Sequence, residues 1–223
     1  EALKACKLSS GITVEEGVTQ QTGKSGEKHA IPHYSTLEAG YIASYIHINH
    51  KVGAIVGFNK PMADAHVGKE IAMQVTAMNP VSLTKDDCPK EVIEKELEVA
   101  VEKTKEEMVK KAVEAAIKKA GFNPAHFDSE DHMESNQSKG WITAEDVVKV
   151  KEIIAKVTAE KSANMPEQMI NNIAQGRLAK FFKESTLEEQ TFVQDGKISV
   201  REYLKKVDPE LKITGFRRFS LAD

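Results

Sequence analysis

The residues best suited to acid–base or metal chemistry are concentrated in one polar segment of the sequence. Histidines and carboxylates follow one another closely there: His126, Asp128, Glu130, Asp131, His132 and Glu134. Zinc sites commonly use spacings such as Cys-x-x-Cys or His-Glu-x-x-His, and neither spacing occurs in this sequence. We therefore interpret the segment as a solvated loop and predict no metal site.

Motifs for nucleotide binding and covalent catalysis are missing from the sequence. It contains no Gly-x-x-x-x-Gly-Lys loop, no Gly-x-Gly-x-x-Gly loop and no Gly-x-Ser-x-Gly turn. Such glycine patterns let the backbone cradle phosphates or present a serine nucleophile. We predict no catalytic residue, no cofactor and no small-molecule substrate, and therefore a protein that acts by binding and not as an enzyme.

The composition favours a cytoplasmic protein without nucleic-acid or membrane partners. The net charge is −3, which gives no electrostatic indication of nucleic-acid binding. Two cysteines, Cys6 and Cys88, are too few for a secreted disulfide framework. No apolar run approaches the roughly 18 residues of a membrane span. The chain begins at Glu1 and not at a methionine, which suggests a fragment of a longer protein.

His47 is the histidine for which the sequence predicts a defined position. Residues 40–49 and 52–59 are rich in β-branched and aromatic residues and flank a polar corner, so they predict an antiparallel hairpin. Side chains alternate along a strand, which places Tyr45 and His47 on the same face. His47 is then either a surface histidine without function or a contact to a partner.

A helix is expected to cover this hairpin, because an isolated hairpin is marginally stable in water. Ile71, Val75 and Met78 recur at helical spacing before Pro80. Gly53 and Gly57 leave one face of the second strand without side chains, and we expect the helix to pack there.

The first 39 residues are polar and rich in glycine, and they predict little regular structure. Thr13 and Glu16 have the spacing of a capping box, which predicts a helix over residues 14–22. Gly23 is expected to end this helix at the C′ position.

The sequence beyond residue 88 predicts three helices that form a long antiparallel stem. No residue from Pro89 to Ala120 interrupts the helical pattern. About 30 residues with a rise of 1.5 Å each give a helix of roughly 45 Å. This length exceeds the width of a small protein core. We expect residues 121–141 to form a loop, and residues 100–160 to fold outside the core. Two helices should return, one capped by Thr143 and one running from Pro166 to about Ser185. A strand over residues 212–221 should then join the hairpin.

Three strings, in the same order along the chain, resemble elongation factor Ts, the bacterial nucleotide exchange factor for elongation factor Tu. The first contains Ser44-Tyr45-Ile46-His47, Val52-Gly53, Lys69-Glu70-Ile71-Ala72-Met73-Gln74-Val75 and Asn79-Pro80. The second is Gln175-Gly176-Arg177-Leu178-Ala179-Lys180-Phe181. The third is Ile213-Thr214-Gly215-Phe216-Arg217-Arg218-Phe219. Each string is weak alone, and together they identify the chain as similar to this family.

With the element pattern, the resemblance implies an α+β fold. We expect a three-stranded antiparallel sheet with helices packed on one face, and a long inserted antiparallel helical stem. Residues 1–39 would be part of the N-terminal half of the family's core. Residues 40–88 and 177–223 would form the C-terminal half, with the stem inserted over residues 89–176.

The resemblance also implies a partner, the GDP form of elongation factor Tu. It assigns partner-binding positions to His47, Tyr45, Gly23 and Thr22. One extra residue between His47 and Val52 gives the turn a different length from the family pattern. The family usually has an apolar residue where Thr22 stands, and Gly23 is equally well explained as a helix cap.

One family motif does not occur in these residues. Elongation factor Ts has a Thr-Asp-Phe-Val motif, which enters the GTPase near its magnesium site, and the sequence lacks that string. The resemblance therefore implies a docking surface without the part that disrupts nucleotide binding. The alternative interpretation is a structural module that forms a homodimer and has no exchange activity.

Overall fold

A three-stranded antiparallel sheet is the centre of the first of two units in the computed structural model, which describes residues 1–221. Its strands are β1 (Tyr41–Ile46), β2 (Val52–Phe58) and β3 (Ile213–Ser220), in the order β1-β2-β3. The hairpin and the late third strand predicted from the sequence are thus confirmed. The central strand β2 is hydrogen-bonded along both edges, so its peptide groups are paired within the sheet.

The first unit is formed by two separate segments of the chain, and the second unit by one continuous segment. The first unit contains residues 1–76 and the chain from Lys212 onward, and the second contains residues 77–211. The second unit therefore lies, along the sequence, between two parts of the first. The α+β fold class with an inserted helical stem agrees with the prediction.

Helix α3 (Ala65–Met78) covers the face of the sheet that carries Ala43, Val56 and Phe58. Ile71 and Val75 are fully buried on this helix, as their spacing predicted, whereas Met78 is exposed. A Cβ atom at Gly68 would lie only 2.7 Å from the Cβ of Ala43. The helix therefore approaches β1 closely because Gly68 has no side chain.

The expectation that this helix packs over Gly53 and Gly57 is wrong. Alternation along β2 puts both glycines on the face opposite Val56. An extended segment lies on that face instead, since a Cβ atom at Gly57 would meet the Cβ of Ala39 at 2.7 Å and Leu37 at 3.3 Å. Gly57 thus makes room for a neighbouring loop and not for the helix.

Residues 33–39 form this covering segment, which we call the strap. The His33 ring stacks on Phe219 with a centroid distance of 6.1 Å. Arg217 Nε donates a hydrogen bond of 3.0 Å to Ser35 Oγ. The strap therefore follows β3 from Gly215 to Phe219 and leaves Ile42 and Ile46 of β1 exposed.

The N-terminal residues form two helices, α1 (Ala2–Ala5) and α2 (Val14–Ser25). Thr13 and Glu16 make the capping box that the sequence predicted. The predicted end at Gly23 is wrong, because the helix continues to Ser25. Gly26 is the residue that ends it, with a left-handed φ of 73°. A left-handed terminal residue is the conformation that glycine adopts most easily.

The second unit is built on α4 (Lys90–Lys119), a helix of 30 residues that begins one residue after Pro89, where the helical pattern was expected to start. Helices α6 (Ala144–Ala163) and α7 (Glu167–Ser185) both pack along it. Thr143 and Asp146 form a capping box at the start of α6. On α7 the buried residues are Ile170, Ala174 and Leu178. Met169, on the same helix, is exposed.

The end of the stem is folded, so the expectation of a loop over residues 121–141 is wrong. It contains a 3-10 turn (Pro124–His126) and helix α5 (Glu130–Ser138). A separate hydrophobic cluster lies there, made of residues from α4, α5, α6 and their connections: Ile117, Phe127, Met133, Ile142 and Val150. Burial of this apolar surface is what holds the short elements in place.

The last helix of the second unit is α8 (Val200–Val207), whose start is capped by Ser199 and Glu202. Gln190 is fully buried, and its Nε2 donates to the backbone oxygens of Glu184 at 2.9 Å and Met78 at 3.4 Å. Within residues 1–221, every helix is too short or too polar to span a lipid bilayer.

Replacing Ile71 with alanine tests the packing of α3 on the sheet. Ile71 has 0% of its surface exposed. The Ile71→Ala change should lower the free energy of unfolding by about 2–5 kcal/mol, because it leaves a cavity between helix and sheet. Urea unfolding followed by circular dichroism measures the loss. Ile48→Ala is the matched control, since Ile48 is 86% exposed. A loss at Ile71 within about 0.5 kcal/mol, typical of surface sites, would mean that α3 faces another way.

Candidate functional site

His47 lies immediately after β1, and its backbone is fixed on both sides. Its amide donates a 2.9 Å hydrogen bond to the carbonyl oxygen of Val52. Its own carbonyl oxygen accepts a 2.8 Å bond from the amide of His50. His50 has a positive φ of 54°, a conformation that histidine adopts more readily than most residues. The exposed His47 side chain therefore projects from a turn whose backbone is held by hydrogen bonds on both sides of His47.

Tyr45 is brought directly beside His47, as the strand pattern predicted. The Tyr45 hydroxyl and His47 Nδ1 lie 3.3 Å apart, within hydrogen-bond distance. Their rings meet edge to face, with centroids 6.2 Å apart. Tyr45 is half-buried, whereas His47 is exposed. The strand thus supplies a partly anchored aromatic residue that holds the more exposed imidazole.

Thr22 and Gly23 lie on the last turns of α2. Thr22 Oγ1 accepts a 3.1 Å hydrogen bond from the amide of His29, which secures the chain as it leaves the helix. Gly23 is exposed, and a Cβ atom built on it would meet nothing within 4 Å. Gly23 is therefore not required for packing or for ending the helix, since Gly26 does that. Its backbone is left accessible to another molecule.

The start of α2 is held by the capping box. The Glu16 carboxylate accepts a 2.7 Å hydrogen bond from the Thr13 amide, and Thr13 Oγ1 accepts a 3.2 Å bond from the Glu16 amide. The bonds from Thr13, the backbone one first, lower the pKa of Glu16. Their stabilisation of α2 is consequently present above the ordinary titration range of a glutamate and is lost as the pH falls below it.

The structure joins the predicted site residues in two pairs. Tyr45 and His47 form one pair on the hairpin, and Thr22 and Gly23 form the other on α2. Among residues 1–221, no hydrogen bond or ring contact links one pair to the other. Both pairs belong to the first unit.

An apolar surface lies on the strap side of the sheet. Its exposed members are Ile42, Ile46, Phe219 and Leu221. An open groove of about 350 Å³ runs along it, lined by Ile46, Ile55 and Phe219 among others. We call this surface the open sheet face. The signal in the sequence was the alternation of isoleucines at 42, 46 and 48, on the side opposite Tyr45 and His47.

At the end of the stem, each of Asp128, Glu130 and His132 has a polar partner. His132 Nδ1 lies within hydrogen-bond distance of Asp128, and Lys151 Nζ binds Glu130 at 2.9 Å. In the described part of the chain, no three His, Cys, Asp or Glu side chains are placed to hold one metal ion.

Comparison with known proteins gives this arrangement a family. A family model described as Elongation factor TS matches residues 1–125 and 112–223, which together cover the whole chain. The chain belongs to the elongation factor Ts family. Its fold and its element order are therefore those of a member of a family of translation elongation factors.

Individual relatives agree with this assignment. Elongation factor Ts of Bacteroides fragilis is 59% identical over 210 residues, which are 94% of this chain and 63% of that relative. The protein of the same name from Bacteroides thetaiotaomicron is 53% identical over 222 residues, 99% of this chain and 67% of the relative. The one from Christiangramia forsetii is 32% identical over 95% of this chain and 57% of its own length. The chain thus spans less than two thirds of the Bacteroides fragilis protein.

The two glycines at the end of α2 should respond oppositely to alanine. Gly23→Ala should raise the free energy of unfolding by about 0.4–1 kcal/mol, because it reduces the freedom of the unfolded chain and meets no atom in the folded one. Gly26→Ala should lower it by about 1–2 kcal/mol, because its φ of 73° is unfavourable for a residue with a Cβ. Thermal and urea unfolding of both variants measure the difference. Destabilisation by Gly23→Ala would show that this position is not free.

Proposed function

We propose that the chain supplies a docking surface for the GDP form of elongation factor Tu and belongs to a guanine nucleotide exchange factor. Membership of the elongation factor Ts family supports this proposal. The observation that carries it is the exposed His47 ring, fixed by its turn and held by Tyr45. A side chain already ordered before binding loses less entropy when it binds, so it favours recognition.

Gly23 supports the same proposal from a second position. A glycine inside a helix costs stability relative to alanine, and neither packing nor helix termination explains this one. A partner that approaches the backbone of α2 closely would explain it. Thr22 contributes to this surface by securing the chain that leaves the helix. Gly23→Ala should therefore weaken docking although it stabilises the free chain.

Exchange by this route needs no catalytic acid, base or nucleophile. An exchange factor and a nucleotide that bind the same GTPase lower each other's affinity by one shared coupling free energy. The exchange factor releases GDP by distorting its phosphate and magnesium contacts, and GTP then displaces the exchange factor. A surface that binds both nucleotide states equally produces no such coupling.

The open sheet face favours a second function, self-association. Ile46 is 66% exposed and Leu221 is 73% exposed on the same side of the sheet as Phe219. A contiguous apolar surface on a sheet is a common site of protein association. A homodimer that buries it is a structural role that requires no exchange activity.

Replacing His47 with alanine tests docking on elongation factor Tu. His47→Ala should weaken binding to the GDP form by about 1–2 kcal/mol, or roughly 5- to 30-fold, as expected for a desolvated contact. Isothermal titration calorimetry measures the affinity. His50→Asn is the matched control, because it removes an imidazole from the same turn and still tolerates the positive φ.

Equal binding by the two variants would remove His47 from the contact surface. Light scattering on the same samples then separates the two functions. A particle with twice the mass of the monomer that does not bind elongation factor Tu would favour the homodimer as the only function.

Nucleotide exchange by the 223-residue chain itself can be measured directly. These residues contain no Thr-Asp-Phe-Val string. We expect saturating chain to leave the release of fluorescent GDP from elongation factor Tu near its intrinsic rate, because docking alone gives little differential affinity. Stopped-flow fluorescence measures this rate, with a full-length elongation factor Ts as the positive control. Release as fast as with the full-length protein would contradict this separation of docking from disruption.

A further inference from the structure

Only one nitrogen of the His47 ring is occupied. Nδ1 lies 3.3 Å from the Tyr45 hydroxyl. Nε2 has no hydrogen-bond partner among residues 1–221. The ring therefore has one nitrogen turned toward its own strand and one available to another molecule.

The contact with Tyr45 bears on which nitrogen of the neutral His47 ring carries the proton. In a neutral imidazole one nitrogen is a donor and the other an acceptor, and the hydrogen bond made by one sets the role of the other. A phenol hydroxyl donates more readily than it accepts. If Tyr45 donates to Nδ1, the proton of the neutral ring resides on Nε2, and the exposed nitrogen is a donor.

We propose that Tyr45 is a positioning residue that holds His47 as its Nε2–H tautomer. The matching group on the partner is then a hydrogen-bond acceptor, such as a backbone carbonyl or a carboxylate. This inference rests on the proposed function for the identity of the partner, but the tautomer itself is a property of the free chain.

The geometry gives Tyr45 the means to do this. Tyr45 is half-buried and pairs directly with Ala54 of the central strand, so its ring starts from a fixed backbone. The edge-to-face contact restricts rotation of the imidazole. Removing the hydroxyl leaves the ring contact and deletes only the group that selects the tautomer.

The experiment compares Tyr45→Phe with Tyr41→Phe. Tyr41 is on the same strand and the same face as Tyr45, and its ring packs against Phe58. Nitrogen-15 chemical shifts of the His47 ring, measured on the free chain at a pH where the ring is neutral, report the tautomer directly. His47→Ala assigns the signals by their disappearance.

In the unmodified chain and in Tyr41→Phe, the shifts should show a protonated Nε2 and an unprotonated Nδ1. In Tyr45→Phe they should move toward a mixture of both tautomers. Binding to the GDP form of elongation factor Tu should weaken about 3- to 10-fold in Tyr45→Phe, the effect of one lost neutral hydrogen bond. Tyr41→Phe should bind as the unmodified chain does.

Identical shifts in the unmodified chain and Tyr45→Phe would overturn the positioning role, whatever the affinities are. A changed tautomer with no binding of elongation factor Tu by any of the chains would instead leave the positioning role standing and contradict the proposed function. A changed tautomer with equal affinities would show that Nε2 does not contact the partner, and would overturn the predicted acceptor.

Discussion

The first unit depends on the central strand β2, which is hydrogen-bonded on both edges, covered by α3 on one face and partly covered by the strap on the other. Val56 and Phe58 are fully buried beneath α3 on one face. On the other face, the missing side chain of Gly57 admits the strap. A buried peptide group without a partner is costly, so a strand in this position needs both neighbours. The hairpin and the late strand β3 are therefore interdependent, although more than 150 residues of sequence separate them.

That constraint also explains why the hairpin end can present a histidine in an ordered position. The pairing of β1 with β2 continues into the turn through the bond between His47 and Val52. The turn is held in position because its two flanking strands form part of the core of the unit. A histidine on a long flexible loop would have to be ordered at the moment of binding, at a cost in affinity. Here that ordering is achieved by folding, and Tyr45 extends it from the backbone to the ring.

In the first unit the sequence predicted the three strands, helix α3 and the Tyr45–His47 pair, but not which layer covers which face of the sheet. Alternation along β2 places Gly53 and Gly57 on the face opposite Val56. It does not indicate which segment of the chain packs on each face. We assigned the helix to the glycine face because glycine permits close approach. The close approach exists, but Gly68 of α3 provides it over Ala43. Gly23 was misassigned for a related reason, since a glycine near a helix end resembles a cap and only the observed φ of Gly26 identifies the true one.

The folded end of the stem escaped prediction because its apolar residues are sparse and far apart in sequence. Ile117, Phe127, Met133, Ile142 and Val150 form no stripe within one element, so periodicity does not reveal them. They converge only when α4, α5 and α6 close around them: each of these helices contributes one residue, and the connections contribute Phe127 and Ile142. The polar residues between them, which suggested a solvated loop, are the outer surface of this cluster. Charge and sparse hydrophobicity therefore describe the surface of a small folded unit as well as they describe a loop, and long-range packing decides between the two.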